Sequence, residues 1–410
     1  MHKPATFLSH AALTRLGCLC RGMLLAAVLL GHGICAAASP SIDSIITSID
    51  QGQYQWAERA ITTALADTQA DAATRAAFTY ERERMRRILL DFTLDEDALK
   101  AQLRKKIPDL DDAEFARWQA HGLFESQTID GRVLYFNRAA SNLFRLSAEA
   151  RERRSEQTPL RDGPMETANA HHREILDDAR AGQVRGLASR TLKVTQSLSV
   201  HADAVPAGEV VRAWIPYPRA LPGQQDKIHF IESTPAKRVI APESALQRTV
   251  YLEKKAEAGK PTEFSIRYAL TVSAQSHAID ADKVTAAKIT PELAPFVAER
   301  PPHIVFNEAL RLFSRQIVGD EKNPWHIAQK LYAAVDAIPW AGAREYSTIS
   351  NISDYALHAG HADCGQQTLL LMTLLRLNGI PTRWQSGMVY SDGDDYWNLH
   401  DWGQLYIVPY

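Results

Sequence analysis

One cysteine of this sequence lies in surroundings that suit a reactive thiol. Cys364 opens a strongly apolar run that ends at Leu377, which predicts a helix beginning at the cysteine itself. Free backbone N–H groups and the positive end of the helix dipole favour a thiolate at that position. The same groups can donate to the oxyanion that forms when a thiolate attacks a carbonyl. The sequence therefore predicts a nucleophilic thiol in place of an inert buried cysteine.

A thiol nucleophile needs a base within hydrogen-bond reach, and His400 is the histidine best placed to provide it. The predicted helix ends in Asn378-Gly379-Ile380-Pro381, a left-handed residue followed by proline. Two predicted strands follow, Thr382 to Tyr390 and His400 to Val408. We expect this order of helix, strand and strand to bring the imidazole to the start of the helix.

Three motifs then match a known family in order and spacing. They are His361-Ala362-Asp363-Cys364-Gly365, Leu377-Asn378-Gly379-Ile380-Pro381-Thr382-Arg383 and Asn398-Leu399-His400-Asp401-Trp402. The segment from about Val305 to Tyr410 thus resembles the transglutaminase-like superfamily. In that family a Cys-Gly pair opens the central helix, a Gly-Ile-Pro-x-Arg turn leads into the first strand, and His-x-Trp opens the second. The resemblance implies an α+β core of the cysteine-protease-like type, with Cys364 as nucleophile and His400 as general base and acid.

The resemblance implies two further groups. An aspartate that orients the imidazole is expected on a following strand, but the chain reaches Val408-Pro409-Tyr410 where that strand should begin, so we expect the core to be truncated there. A substitute carboxylate is the alternative, although Asp401 is disfavoured because neighbouring strand residues point to opposite faces. For a side-chain donor to the oxyanion, Trp340 is the candidate through its indole N–H, ahead of Tyr346.

The first 38 residues have the pattern of an export signal. Basic residues precede the apolar run Met23 to Leu30, and Ala36-Ala37-Ala38 provides the small residues that a signal peptidase needs. The run is too short to span a membrane. Cleavage removes three of the four cysteines and leaves Cys364 alone in the mature chain. We therefore expect a periplasmic or secreted protein with no integral membrane span after cleavage.

The length of 410 residues exceeds the size at which a single hydrophobic core usually stops growing, so we expect a multidomain chain. Apolar residues at helical spacing predict an α-helical N-terminal region over 39–190, with a hairpin or a packed loop at Asp130-Gly131. A period of two predicts an antiparallel β-domain, a sheet or a sandwich, over 191–290. The transglutaminase-like core is expected over 291–410.

The composition narrows the choice of partner. Hydrophobic residues make up 45% and charged residues 23%, as in an ordinary globular protein. The formal net charge of −2 gives no reason to expect nucleic acid or an anionic membrane surface as a partner. The motifs imply neither a cofactor nor a metal. The predicted substrate is a protein or peptide amide, with hydrolysis favoured over transfer to an amine, and the oligomeric state is not indicated.

Two other interpretations stay open. His358, His361, Asp363 and Cys364 lie close enough in sequence to ligate zinc, although no second cluster of Cys or His follows at a typical distance. The other interpretation is a catalytically inactive binding or scaffold protein with the same fold. The missing aspartate favours it, whereas the presence of both Cys364 and His400 disfavours it.

Overall fold

The structure, a computed structural model, describes residues 40–155, 168–389 and 398–410. The predicted signal peptide, residues 1–38, lies outside the described residues. Within those three ranges, no helix is both long enough and apolar enough to cross a membrane.

Helices form most of the described chain up to residue 180. They are α1 (Ile42–Asp50), α2 (Tyr54–Ala66), α3 (Ala72–Asp91), α4 (Glu96–Arg104), α5 (Asp112–Ala120), α6 (Ala139–Leu146), α7 (Ala148–Glu152) and α8 (Ala170–Arg180). Serine or aspartate side chains cap α1, α3, α4 and α5 by accepting a hydrogen bond from a first-turn N–H group. Their apolar faces enclose a core in which Trp118, Phe115 and Leu99 are buried. The helical periodicity predicted for this region is confirmed.

A small antiparallel sheet, with strand order β1-β3-β2, lies among these helices. Its strands are β1 (Phe92–Leu94), β2 (Ser126–Ile129) and β3 (Arg132–Phe136). Asp130 and Gly131 form the turn between β2 and β3, with positive φ angles of 46° and 80°. Two positive φ angles match the twist of a two-residue hairpin turn. Of the two alternatives predicted for this Asp-Gly signal, the hairpin is correct.

Two antiparallel sheets follow, with strand orders β4-β9-β6 and β5-β8-β7. The strands are β4 (Arg185–Val200), β5 (Val210–Pro216), β6 (Gln225–Thr234), β7 (Val239–Ile240), β8 (Thr249–Lys255) and β9 (Thr262–Gln275). Ile215 and Val250 from one sheet share a buried core with Ile266 and Leu270 from the other. The predicted antiparallel region is therefore a small sandwich of two packed sheets.

The remaining elements form an α+β unit around one central helix. They are α9 (Glu308–Val318), α10 (Pro324–Asp336), α11 (Ile352–His358), α12 (Cys364–Leu377), β10 (Thr382–Val389) and β11 (Asn398–Leu405). Helix α12 contacts α9, α10, α11 and both strands. The strands pair antiparallel, with Gly387 opposite His400 and Ser386 opposite Asp401.

Both ends of α12 fall where the sequence predicts them. Asp363 accepts a hydrogen bond from the Gln366 N–H group at 3.1 Å, and the Gln366 side chain accepts from the Asp363 N–H group at 3.2 Å. This reciprocal capping box fixes the start of the helix at Cys364. At the other end Gly379 has a φ of 71°, and Pro381 prevents further helical turns.

A buried arginine fastens the end of α12 to its surroundings. Arg376 is 6% exposed, and its guanidinium donates to the carbonyl oxygens of Thr382 at 2.8 Å, Ala298 at 2.9 Å and Pro295 at 3.3 Å. Burial lowers the pKa of Arg376. Because these carbonyl groups depend on one side chain, Arg376 holds the helix against β10 and the connector before α9.

Arg376→Met should destabilise the protein by about 2–4 kcal/mol, because the substitution removes two hydrogen bonds to the buried carbonyl oxygen of Thr382 and the bonds that hold the connector at Pro295 and Ala298. Arg383→Met is a matched control, since the Arg383 guanidinium donates to the Gln404 side chain at 2.7 Å in an exposed position on β10 and β11. We expect the control to lose less than about 1 kcal/mol. Urea unfolding of both variants measures the difference, and equal losses would show that Arg376 has no special anchoring role.

Candidate active site

Cys364 is a free, partly buried cysteine in the first turn of α12. The backbone N–H groups of Asp401 on β11 and of Gly365 on α12 both act to lower the pKa of the Cys364 thiol, so both lie near the sulfur. One turn further along the helix, the Thr368 hydroxyl donates to the carbonyl oxygen of Asp401 at 3.3 Å. Backbone N–H and C=O groups of a strand point along the sheet plane, towards its edges. The sulfur therefore lies at the edge of β11, beside the peptide that joins His400 to Asp401.

The pKa of the Cys364 thiol is raised, which corrects the expectation that the helix start favours a thiolate. Burial is the largest cause, and the carboxylates of Asp363 and Asp401 add to it. The two backbone N–H donors oppose these effects without balancing them. The resting group is thus a thiol at neutral pH, and nucleophilic attack requires a base.

The glycine after the nucleophile is required by packing. A Cβ atom at Gly365 would lie 2.2 Å from the Tyr346 hydroxyl and 2.8 Å from Oδ2 of Asp401. The Tyr346 hydroxyl donates to Oδ1 of Asp363 at 2.5 Å. Burial, followed by the charge of Asp363, raises the pKa of Tyr346. The Cys-Gly pair thus leaves room for a phenol and a carboxyl group at the helix start.

Two carboxyl groups beside the thiol resist ionisation. Burial and then the neighbouring Asp363 raise the pKa of Asp401 to about 6. Burial also raises the pKa of Asp363, although hydrogen bonds from Tyr346 and from the Gln366 N–H group lower it. The negative charge beside Cys364 therefore changes at mildly acidic pH, as Asp401 gains or loses its proton.

His400 and Asp401 leave β11 on opposite faces. The Asp401 carboxyl group lies against Gly365, and a Cβ atom at Gly403 would lie 3.6 Å from a side chain of α12, so this face is turned towards the helix. Alternation along the strand places His400 and Trp402 on the other face. The Trp402 ring packs there against the backbone of the residue opposite His400. The structure thus turns the Asp401 side chain towards the start of α12, and strand alternation turns the His400 side chain to the other face of β11.

Trp340 lies beside the segment that leads into the nucleophile. Its backbone forms a parallel bridge with Ala362, and the Ala362 N–H group donates to the carbonyl oxygen of Pro339 at 3.1 Å. The Trp340 side chain is 43% exposed, so part of the indole faces solvent. Tyr346, the alternative donor, already directs its hydroxyl to Asp363. Of the two candidates, Trp340 has the side chain that is open to the solvent side of the site.

The histidines upstream of the nucleophile turn away from it. His358 Nδ1 hydrogen-bonds with the carbonyl oxygen of Asp354 at 2.8 Å, and His361 Nδ1 with that of Ala359 at 3.1 Å. His361 Nε2 lies 3.7 Å from Oε2 of Glu125 in the helical region. Across the described ranges, no group of three or more His, Cys, Asp or Glu is arranged to hold a metal ion. The zinc alternative therefore has no geometric support there.

One contribution to the site was not predicted from the sequence. Asn142 on α6 hydrogen-bonds through its side chain to the backbone of Gly342, and the Arg145 guanidinium lies 4.4 Å from the centre of the Trp340 ring. The sequence prediction assigned no role in the site to the helical region. A buried asparagine in a helix needs a polar partner, which is a weak signal for such a contact. The signal does not identify a partner two hundred positions away in the chain.

A cysteine at the start of a central helix, packed against an antiparallel hairpin that carries a histidine, defines a thiol-enzyme fold. Residues 311–410 match the family described as the transglutaminase-like superfamily. This part of the chain is a transglutaminase-like domain, and the resemblance predicted from the motifs is confirmed.

Comparisons over a longer part of the chain find more distant likenesses. A provisionally assigned cysteine protease from Cytophaga hutchinsonii is similar at 16% identity and a TM-score of 0.42, over 54% of this chain and 75% of that chain. The periplasmic domain of TgpA from Pseudomonas aeruginosa is similar at 12% identity and a TM-score of 0.27, over 57% of this chain and 86% of that chain. No curated protein sequence matches the chain. Likenesses at this level assign no role to any residue of this protein.

Asp401→Asn should make Cys364 react several-fold faster with iodoacetamide at pH 7.5. Above about pH 6 the Asp401 carboxyl group is ionised and disfavours the thiolate, whereas asparagine is neutral at every pH. The gain should disappear below about pH 5, where Asp401 is itself protonated. Intact mass spectrometry gives the alkylation rate. Asp320→Asn, at an exposed position after α9, is the charge-removal control. Equal rates for Asp401→Asn and the wild type at pH 7.5 would contradict the electrostatic effect of Asp401.

Proposed function

We propose that the protein is a thiol enzyme that attacks amide or peptide carbonyl groups through Cys364 and forms an acyl-enzyme. The observation that carries the proposal is the position of Cys364 at the start of α12, where the backbone N–H groups of Gly365 and of Asp401 on β11 act to lower the pKa of its thiol. The match of residues 311–410 to the transglutaminase-like superfamily supports the same class of chemistry.

His400 is the proposed base. A thiol with a raised pKa must lose its proton to a neighbouring group before it attacks. Because the sulfur lies at the edge of β11, a side chain on either face of the strand can approach it. Asp401 occupies the face towards the helix, so the imidazole of His400 approaches from the other face. Proton transfer then gives a thiolate and an imidazolium, and the N–H groups of Asp401 and Gly365 stabilise the charge on sulfur.

The Trp340 indole N–H is the proposed donor to the oxyanion. Attack of the thiolate forms a C–S bond and moves negative charge to the carbonyl oxygen, where a positioned donor lowers the barrier. The bridge between Trp340 and Ala362 supports this role because the Trp340 backbone pairs there with the segment that leads into Cys364. When the tetrahedral intermediate collapses, the C–N bond breaks and the imidazolium gives its proton to the leaving amine. The acyl group remains on Cys364.

Water is the favoured second nucleophile. An enzyme that transfers the acyl group to an amine must keep water away from the acyl-enzyme. The 43% exposure of Trp340 indicates that this side of the site is open to solvent. His400 would then remove a proton from water, the C–S bond would break, and the released thiol would recover the proton. The products are a carboxylic acid and the free enzyme.

We also propose that the protein acts outside the cytoplasm. The basic residues, the apolar run Met23 to Leu30 and Ala36-Ala37-Ala38 support this proposal. N-terminal sequencing of the protein recovered from the periplasm or the medium should begin at Ser39. Recovery of an exported chain that still begins at Met1 would contradict cleavage at this position.

Cys364→Ala should abolish acetylation of the site by p-nitrophenyl acetate, because no thiol remains to take the acetyl group. His400→Ala should slow acetylation at pH 7 by about tenfold or more, since general-base catalysis contributes about 10²–10⁴-fold. Release of p-nitrophenol gives the rate, and intact mass identifies the adduct. His358→Ala is the matched control, because the exposed His358 ring turns towards Asp354.

Each outcome of this experiment has a distinct meaning. Acetylation that persists without Cys364 would overturn the thiol-enzyme proposal and favour a binding or scaffold protein. Equal rates for His400→Ala and the wild type would remove His400 as the base. Added methylamine tests the second step: release of acetate supports hydrolysis, whereas N-methylacetamide supports amine transfer.

A further inference from the structure

Trp340 belongs to a segment without regular secondary structure, residues 339–345. One side of the segment hydrogen-bonds to the chain that leads into Cys364, where the Ala341 N–H group donates to the carbonyl oxygen of Ala362 at 3.4 Å. The other side faces α6 of the helical region. A segment of this kind takes its geometry from its neighbours. The position of the indole therefore depends on what α6 provides.

The side chain of Asn142 on α6 pairs with the backbone of Gly342. Its Nδ2 donates to the Gly342 carbonyl oxygen at 2.9 Å, and its Oδ1 accepts from the Gly342 N–H group at 2.9 Å. Asn142 is 4% exposed, so both bonds are shielded from water. Only an amide provides a donor and an acceptor at this spacing. Asn142 thus gives the segment the two hydrogen bonds that a neighbouring strand would give it.

Gly342 allows this close approach. A Cβ atom at Gly342 would lie 3.0 Å from Cδ of Arg138 and 3.3 Å from Oδ1 of Asn142. A larger residue would push the segment away from α6. The backbone two residues after Trp340 is therefore fixed against the helix by contact as well as by hydrogen bonds.

Arg145 holds the indole itself. It lies one turn after Asn142, on the same side of α6, and its guanidinium lies 4.4 Å from the centre of the Trp340 ring. A guanidinium over an indole face is an attractive contact that fixes the plane of the ring. Asn142 thus fixes the backbone next to Trp340, and Arg145 fixes its side chain.

Helix α6 is a firm support because its other side is in the core of the helical region. Ala139, Leu143 and Phe144 are buried there. We propose that Asn142 and Arg145 are positioning residues of the active site, which hold the Trp340 indole where it donates to the oxyanion. This inference rests on the proposed function of Cys364 and Trp340. On this inference the helical region contributes to catalysis by positioning Trp340.

Two chemical probes separate this role from a general effect on the thiol. Acetylation by p-nitrophenyl acetate passes through an oxyanion, whereas alkylation by iodoacetamide displaces iodide from a tetrahedral carbon and forms none. Asn142→Ala, Arg145→Ala and Trp340→Phe should each slow acetylation. For Trp340→Phe we expect a loss of about tenfold or more, because removal of one oxyanion donor in other enzymes lowers the rate by about 10²–10³-fold. Alkylation should stay within about twofold of the wild type, because the thiol keeps its neighbours. The full chain is used throughout.

A double-mutant comparison tests whether the residues act through Trp340. In the Trp340→Phe background, Asn142→Ala and Arg145→Ala should have little further effect on acetylation. Arg145→Lys should recover part of the rate, since it keeps a cation over the ring. Ser350→Ala is the matched control, because the Ser350 hydroxyl donates to Asp50 of the helical region at 3.1 Å, a hydrogen bond that involves neither α6 nor Trp340.

The outcomes that overturn the inference differ from those that overturn the proposed function. Loss of both reactions in Asn142→Ala and Arg145→Ala would indicate general damage. Full additivity with Trp340→Phe would show that α6 acts elsewhere. An unaltered acetylation rate in Trp340→Phe would remove the indole as donor while Cys364 kept its role. Only acetylation that survives Cys364→Ala would reject the thiol enzyme itself.

Discussion

The hydrogen bonds between the first turns of α12 and the edge of β11 determine where the rest of the site lies. The Asp401 N–H group acts to lower the pKa of the Cys364 thiol, and the Asp401 carbonyl oxygen accepts a hydrogen bond from the Thr368 hydroxyl. At the far end of the same helix, Arg376 binds the carbonyl oxygen of Thr382, where β10 begins. Both ends of α12 are thus held against one hairpin. The start of α12 cannot move relative to β11 without breaking the partly buried hydrogen bond between Thr368 and Asp401, and a buried polar group left without its partner costs about 1–3 kcal/mol.

This fixed position has an electrostatic consequence. The contact between the first turn of α12 and β11 also brings Asp363 and Asp401 close to the sulfur. Burial, together with the charges of these two carboxyl groups, raises the pKa of the Cys364 thiol. Oxidation and alkylation of a cysteine proceed through the thiolate, so a protonated thiol is slow to react with oxidants. In an oxidising compartment such a thiol is protected until a base takes its proton. The slow reaction expected of the resting thiol and the proposed need for His400 as a base therefore have one physical cause, the raised pKa of Cys364.

The sequence was sufficient to predict the helix and the two strands that carry the site, and their order along the chain. Local signals predicted the bounds of α12, because an apolar run opens at Cys364 and Gly379 with Pro381 ends it. Strand alternation correctly separated His400 from Asp401. It could not show which of the two residues would face α12, because that depends on how the hairpin packs on the helix. The predicted direction of the Cys364 pKa shift was wrong for a related reason, since burial of the thiol, the largest cause, and the approach of Asp363 and Asp401 arise only in the folded chain.

The contacts that hold Trp340 against α6 could not be predicted from the sequence, for a different physical reason. Contacts between Asn142 and Gly342 join positions two hundred residues apart and follow no local period. They arise because the segment around Trp340 bonds on one side to Ala362 and needs further partners on the other. An oxyanion donor acts only when it is held in place before the reaction, and a displacement of about 1 Å can cost about 10²-fold in rate. An indole on an irregular segment cannot meet this condition alone. In the proposed mechanism the transglutaminase-like part provides the thiol and the histidine, and α6, packed into the core of the helical region, provides the fixed surface that such a donor requires.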